Sequence, residues 1–296
     1  MPTLPADHPW AHELHAIVPL VREVATAVRG IYEAQGAVTY TKEDGSPVTD
    51  ADLTADRMLR AGIQQAFPAD ALLTEESEDD LARLGNPRCW IADPIDGTAQ
   101  FVARTGLFDI LLALVVEGHP VVSICAHPPS GVMTLAVRDH GAWSIDERGE
   151  IAPFRFEPPE SPPRLATSRY YGPVDFADAI EHITAELGAP PVPVLAFGYG
   201  PRAFLPRWRT YDAFIGFWKR AGDSPVREWD LAASDLMTTE SGGAFTDMYG
   251  NQYRYNQPSP RPRAGVLASA SPELHQRILT VVAPCLPTTP PPVLTR

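Results

Sequence analysis

The sequence predicts an α+β protein built as a layered sandwich of helices and sheets. Two apolar-periodic stretches open the chain as helices, and a run of short strands separated by glycines follows. Past a proline-rich stretch the order becomes strand, helix, strand.

Leu14, Ile17, Val18, Val21, Val24, Ala25, Val28, Ile31 and Tyr32 keep helical spacing, with Pro19 either kinking that helix or beginning its regular part. Thr49 or Asp50 opens a second helix carrying Leu53, Met58, Leu59, Ile63 and Phe67. Strand-like runs follow at Ala71 to Thr74, Cys89 to Ala92, Phe108 to Val116, Val121 to Ala126, Val132 to Val137 and Ala142 to Ile145. Gly118, Gly131 and Gly141 stand where hairpin turns would. Two helices followed by a meander imply an antiparallel sheet covered on one side.

Prolines cluster at 158–163, and residues that cannot continue a helix or a ladder suit a linker. That cluster divides an N-terminal lobe, 8–157, from a C-terminal α/β lobe, 164–283, and leaves 284–296 as an extended proline-rich tail. In the second lobe Arg164 to Ser168, a helix from Val174 to Leu187, Val192 to Phe197 and Tyr211 to Phe217 come in turn. A helix from Asp230 to Ser241 ends against Gly242, and Ala264 to Ala268 reads as a strand. Ser271 caps the closing helix to Val282, with Pro272 at its first position, where a missing amide proton costs nothing.

At 296 residues, with 44% hydrophobic and 21% charged, the chain has the make-up of an ordinary globular protein with a sizeable core. Its formal charge of -13 argues against a nucleic-acid surface, which needs clustered Lys and Arg. Three scattered cysteines do not make a disulfide framework and fit a reducing compartment. No basic start leads into an apolar stretch, and no run approaches the roughly 18 apolar residues of a membrane span. The expectation is a cytoplasmic protein.

Chemistry concentrates in Trp90-Ile91-Ala92-Asp93-Pro94-Ile95-Asp96-Gly97-Thr98. Two carboxylates this close repel one another unless a cation lies between them, which points to a hard divalent metal. Acidic pairs are common on solvated surfaces, but here they end an apolar strand that Pro94 breaks at once, and Gly97 permits a sharp turn. Two further segments add acids: Glu75-Glu76 after Leu72-Leu73-Thr74, and Asp230 in Glu228-Trp229-Asp230-Leu231-Ala232-Ala233, leading to Gly242-Gly243. Taken alone, Asp230 is a helix-start residue.

These segments resemble the inositol monophosphatase family of magnesium-dependent, lithium-sensitive phosphatases. Asp93 to Thr98 with Phe101 matches the family's first signature, Trp229 to Gly243 the second, and Glu75-Glu76 and Thr49 to Asp52 the upstream acidic positions, in order from roughly Trp10 to Leu279. Departures are Ala99-Gln100, Ser234 and the whole of Val194 to Gly222. The resemblance implies an alternating αβαβα arrangement of helix pairs and two sheets, with the site between the lobes.

By that pattern Glu75, Asp93 and the carbonyl of Ile95 would hold one Mg2+, while Asp93, Asp96 and Asp230 would hold a second. Ions about 3.5 to 4 Å apart can clamp the attacking and leaving oxygens of a phosphoryl transfer. Asp52, Thr98 and Glu75 would be the catalytic residues, with Thr98, bonded to Asp52, orienting the attacking water. Asp52 has a plainer reading as the far half of a capping box with Thr49. Asp96, Gly97, Thr98 and Asp230 would contact substrate, the amides of Gly97 and Thr98 being donors for phosphate oxygens.

The implied activity is hydrolysis of a small phosphate monoester: an inositol, sugar or amino-alcohol phosphate such as histidinol phosphate. Alternatives are a phosphoadenylate nucleotidase or sugar bisphosphatase of the same family, and a catalytically silent divalent-metal binder. The resemblance also allows a homodimer. Other signals have plain readings: His8, His12 and His15 as solvated side chains, with a metal held on one helical face as the alternative, and Trp208, Tyr211, Phe214 and Trp218 as one buried helical face, with substrate contact as the alternative. Lys42 lies in a loop that approaches the site in relatives.

Overall fold

The computed structural model describes residues 6–34, 37–42, 45–168, 176–195, 211–217, 226–260 and 265–286. The chain begins with α1, Ala11–Ala34, which contains Pro19 and buries Leu14, Ile17, Val18, Val21, Val24 and Val28. A small hairpin of β1, Thr39–Thr41, and β2, Pro47–Thr49, leads into α2, Asp50–Ala66. Thr49 caps α2 by accepting from the amide of Ala51, and the two helices pack their apolar stripes on one face of a large sheet.

That sheet has seven strands in sequence order: β3, Ala71–Thr74; β4, Arg88–Asp96; β5, Asp109–Val116; β6, His119–His127; β7, Val132–Val137; β8, Gly141–Ile145; and β9, Ile151–Phe154. Between β4 and β5 lies the one-turn helix α3, Thr98–Val102. The strands from β4 onward are antiparallel as expected, but β3 runs parallel to β4 because the chain returns across the sheet end through residues 75–87.

The expectation of a sheet covered on one side is wrong. β4, β5 and β6 carry continuously buried runs rather than an alternation, since their second face is also covered. The cover is α5, Glu228–Glu240, which is buried along Leu231, Ala232, Ala233, Leu236 and Met237. α5 also touches a second sheet of β11, Val194–Leu195; β10, Leu165–Ser168; β12, Ala213–Gly216; β14, Val266–Ser269; and β13, Ala244–Thr246, in that order. The outer face of this sheet meets α4, Ala177–Leu187, and α6, Pro272–Val282, around Ile183, Ile215, Leu267 and Ile278.

The layers are therefore a helix pair, the large sheet, α5, the small sheet and a second helix pair. Among the described residues the middle layer holds one long helix. Phe214 lies in β12, so the reading of Trp208 to Trp218 as one helical face does not survive; Trp208 and Trp218 themselves fall outside the described residues. Most of the divergent Val194 to Gly222 stretch and 287–296 of the tail also fall outside them. No helix among the described residues is long and apolar enough to cross a membrane.

Candidate functional site

Asp93 and Asp96 sit three residues apart on one strand, an odd step that would ordinarily send their side chains to opposite faces. The strand does not break at Pro94; it continues to Asp96 through a bulge. From Asp93 to Asp96 β4 advances three residues while its partner goes only from Leu111 to Asp109, so one extra residue restores the phase. Pro94 lies inside that irregularity, where its missing amide proton leaves no gap in the ladder. Oδ1 of Asp93 accepts from the amide of Ile95 at 3.0 Å, which holds the bulge closed.

Asp230 arrives from far along the chain on the first turn of α5, where its Oδ2 accepts from the amide of Arg227 at 2.6 Å. Asp93, Asp96 and Asp230 each offer an oxygen within 4.8 Å of the others. Glu75, at the end of β3, is not a member of that group: its Oε1 is 2.7 Å from the ammonium of Lys42, which also lies 2.6 Å from Oε1 of Glu76. It is close enough to act on both Asp93 and Asp230.

Burial and crowding by Glu75, Asp96 and Asp230 push the carboxyl of Asp93 well above its usual value. Asp93 is 1% exposed. Burial and Glu75 push Asp230 up to about 7, even though the Arg227 amide opposes the shift. Burial raises Glu76 to about 7 despite Lys42. Burial opposes the charge of Lys42, yet Glu75 and Glu76 hold its pKa above the usual lysine value. Acceptor-only carboxylates forced together in this way repel one another, and an all-oxygen set suits a hard cation. The residues therefore fit a divalent metal. The Ile95 carbonyl, which receives the Thr98 hydroxyl at 3.2 Å, keeps a second lone pair for such an ion.

Beside the acids, the two readings of Asp52 prove compatible. Its Oδ2 closes the capping box, taking the Thr49 amide at 2.8 Å and the Thr49 hydroxyl at 2.5 Å. Its Oδ1 takes the hydroxyl of Thr98 at 2.8 Å. Because Asp52 is wholly buried its pKa is raised, with the bonds from Thr49 and Thr98 working the other way. Thr98 starts α3 directly after Gly97, whose φ of +97° and whose approach to the Leu107 carbonyl, 2.9 Å from any added Cβ, admit no side chain.

Lys42 thus engages the acids Glu75 and Glu76, a pairing the sequence did not suggest. The three early histidines do not converge: His8 accepts from the Trp10 amide and lies near His140, His12 meets the edge of Phe67, and His15 bonds the Ala11 carbonyl. A polar knot joining the buried Arg83 and Glu228 through Asp79 and Asn256 also went unread. Its only sequence signal is that Glu228 stands next but one to Asp230.

Residues 10–195 match the model of the inositol monophosphatase family. A histidinol-phosphatase of Streptomyces coelicolor is 28% identical over 258 residues, 84% of this chain and 88% of its own length. A 3'(2'),5'-bisphosphate nucleotidase CysQ of Aggregatibacter actinomycetemcomitans is also 28% identical, over 83% of this chain and 88% of its own. Among solved structures, a staphylococcal inositol monophosphatase-1 in a lithium chloride inhibitory complex superposes with a TM-score of 0.71 at 19% identity, over 93% of this chain and 96% of that one.

Proposed function

This chain belongs to the inositol monophosphatase family and is a phosphoric monoester hydrolase of metal-dependent type, and on that premise we propose that it uses Mg2+ to hydrolyse a small amino-alcohol or polyol phosphate. The observation that carries the reading is the convergence of Asp93, Asp96 and Asp230 beside Glu75 and the Thr98–Asp52 pair. The reading of a catalytically silent cation binder gives way to it.

Glu75, Asp93 and the Ile95 carbonyl would hold one ion, and Asp93, Asp96 and Asp230 a second. When bound, the metal would polarise the phosphoryl oxygens and lower the pKa of a coordinated water. The protein's own contribution is positional. Thr98 gives its proton to Asp52, so its hydroxyl oxygen keeps a lone pair that would orient the attacking water. Asp52 stays fixed because Thr49 occupies its other oxygen. The amides of Gly97 and Thr98 would donate to phosphate oxygens, while Asp96 and Asp230 would contact the ester side of the substrate. No covalent intermediate is called for.

The histidinol-phosphatase relative supports an amino-alcohol phosphate as substrate. Equal identity to the CysQ relative supports a second reading, removal of a phosphate from a nucleoside 3'(2'),5'-bisphosphate. Released phosphate measured over histidinol phosphate, inositol monophosphate and a nucleoside 3'(2'),5'-bisphosphate, with Mg2+ and with chelator, tests both. Activity that survives the chelator would overturn the metal mechanism. A homodimer in the cytoplasm completes the reading, and light scattering measures the first part.

A further inference from the structure

A polar knot built on the buried side chains of Arg83 and Glu228 joins the loop after β3 to the start of α5. Arg83, 4% exposed, forks onto both oxygens of Asp79, Nε at 3.0 Å and Nη2 at 2.8 Å. Its other contacts cross to the second lobe, Nη1 to Oδ1 of Asn256 at 2.7 Å and Nη2 to the Gln257 carbonyl at 2.9 Å. Asn256 returns its own amide to the carbonyls of Arg83 and Asn86, each at 3.3 Å. Its φ of +57° helps turn the consecutive amides of Asn256 and Gln257 toward the carboxylate of Glu228, at 2.7 and 2.9 Å.

The ends of this knot are telling. Asp79 belongs to the loop that leaves β3 through Glu75, and Glu228 is the first residue of α5, whose opening turn carries Asp230. The chain supplies those two acids from segments far apart in sequence, and their local contacts, Lys42 on Glu75 and the Arg227 amide on Asp230, do not by themselves tie the β3 loop to α5. We propose that Arg83, Asn256 and Glu228 are positioning residues, a clamp that sets the gap between the Glu75 and Asp230 carboxylates and thereby the affinity of the site for divalent cations. The proposal rests on the reading of the carboxylates as the metal site. Groups that orient metal ligands from behind commonly govern affinity by about 10-fold to 100-fold.

Mg2+ titrated calorimetrically into the full chain without substrate tests it. Glu228→Gln turns an amide donor toward two backbone donors, and Asn256→Gly keeps the left-handed backbone while removing the links to Arg83 and Asn86. The control is Glu240→Gln: Glu240, at the far end of α5, likewise pins backbone amides, those of Asp139 and Gly141. The expected result is Mg2+ affinity lower by about tenfold in the first two variants and unchanged in the third, with kcat at saturating Mg2+ within about twofold of native. Thermal melts without metal identify any variant that has simply failed to fold, and Asn256→Gly then carries the test. Native affinity in both clamp variants, or an equal loss in Glu240→Gln, overturns the clamp. Absence of Mg2+ binding by the native chain overturns the metal-site reading and the clamp with it.

Discussion

Two clusters of charged side chains in this molecule are arranged in different ways. Around Arg83 each charge meets a complement: a guanidinium forks onto Asp79, and Glu228 faces two backbone amides that work against the burial raising its carboxyl to about 7. Around Asp93 like meets like, and burial together with Glu75, Asp96 and Asp230 drives its carboxyl toward the protonated form. A cluster of the first kind already has donors facing its acids, whereas one of the second kind is costly until a cation joins it. The fold holds the unfavourable group in place by anchoring both of its approaches in the favourable one.

The largest way to break this contrast is Asp93→Asn. Phosphate release should fall on the order of a thousandfold or more, since on the proposed reading Asp93 would be the ligand shared by both ions. The same variant should melt higher than native in the absence of metal, because it relieves the repulsion; a lower melting temperature would show that crowding does not strain the apo protein. Thr98→Ala comes next. Turnover should drop about a hundredfold, in line with the loss of a group that positions a proton and a water, while Mg2+ affinity stays near native. The reverse pattern would make Thr98 part of the metal site rather than of the water's.

A smaller effect sharpens the contrast with a third way of burying an ionisable group. His275, 4% exposed, has hydroxyls on both ring nitrogens, Thr246 at 2.8 Å and Ser269 at 2.9 Å, and burial lowers its pKa from 6.5 to about 4. The folded state binds the proton less readily than the unfolded one. Its stabilising share is therefore full above pH 6.5 and is lost as pH falls toward about 4. Melting curves across that window should show a steeper fall for the native chain than for His275→Gln; parallel curves would count against it.

Where local pattern decides structure, the sequence was a good guide. β3 and β7 have the expected bounds, and Ser271 with Pro272 begins α6 as their chemistry requires. Gly242, with φ of +92°, ends α5. Long-range geometry was less legible. The second cover on the large sheet comes from α5, far along the chain, and Pro94 was misread because a proline inside a bulge looks the same in sequence as one that ends a strand. The three acids of the close group were all named in advance, since signature spacing carries them. The Arg83 knot was not, because its partners lie 173 residues apart and neither end has a local pattern.

The bulge at Pro94 makes length and identity unequal kinds of change. Exchanging one residue for another within 93–96 leaves the parity of the strand untouched, and both acids keep looking the same way. Removing or adding a single residue there spares every acid in the chain and yet turns Asp96 toward the opposite layer. For anyone redesigning this segment, its residue count is a tighter constraint than its composition.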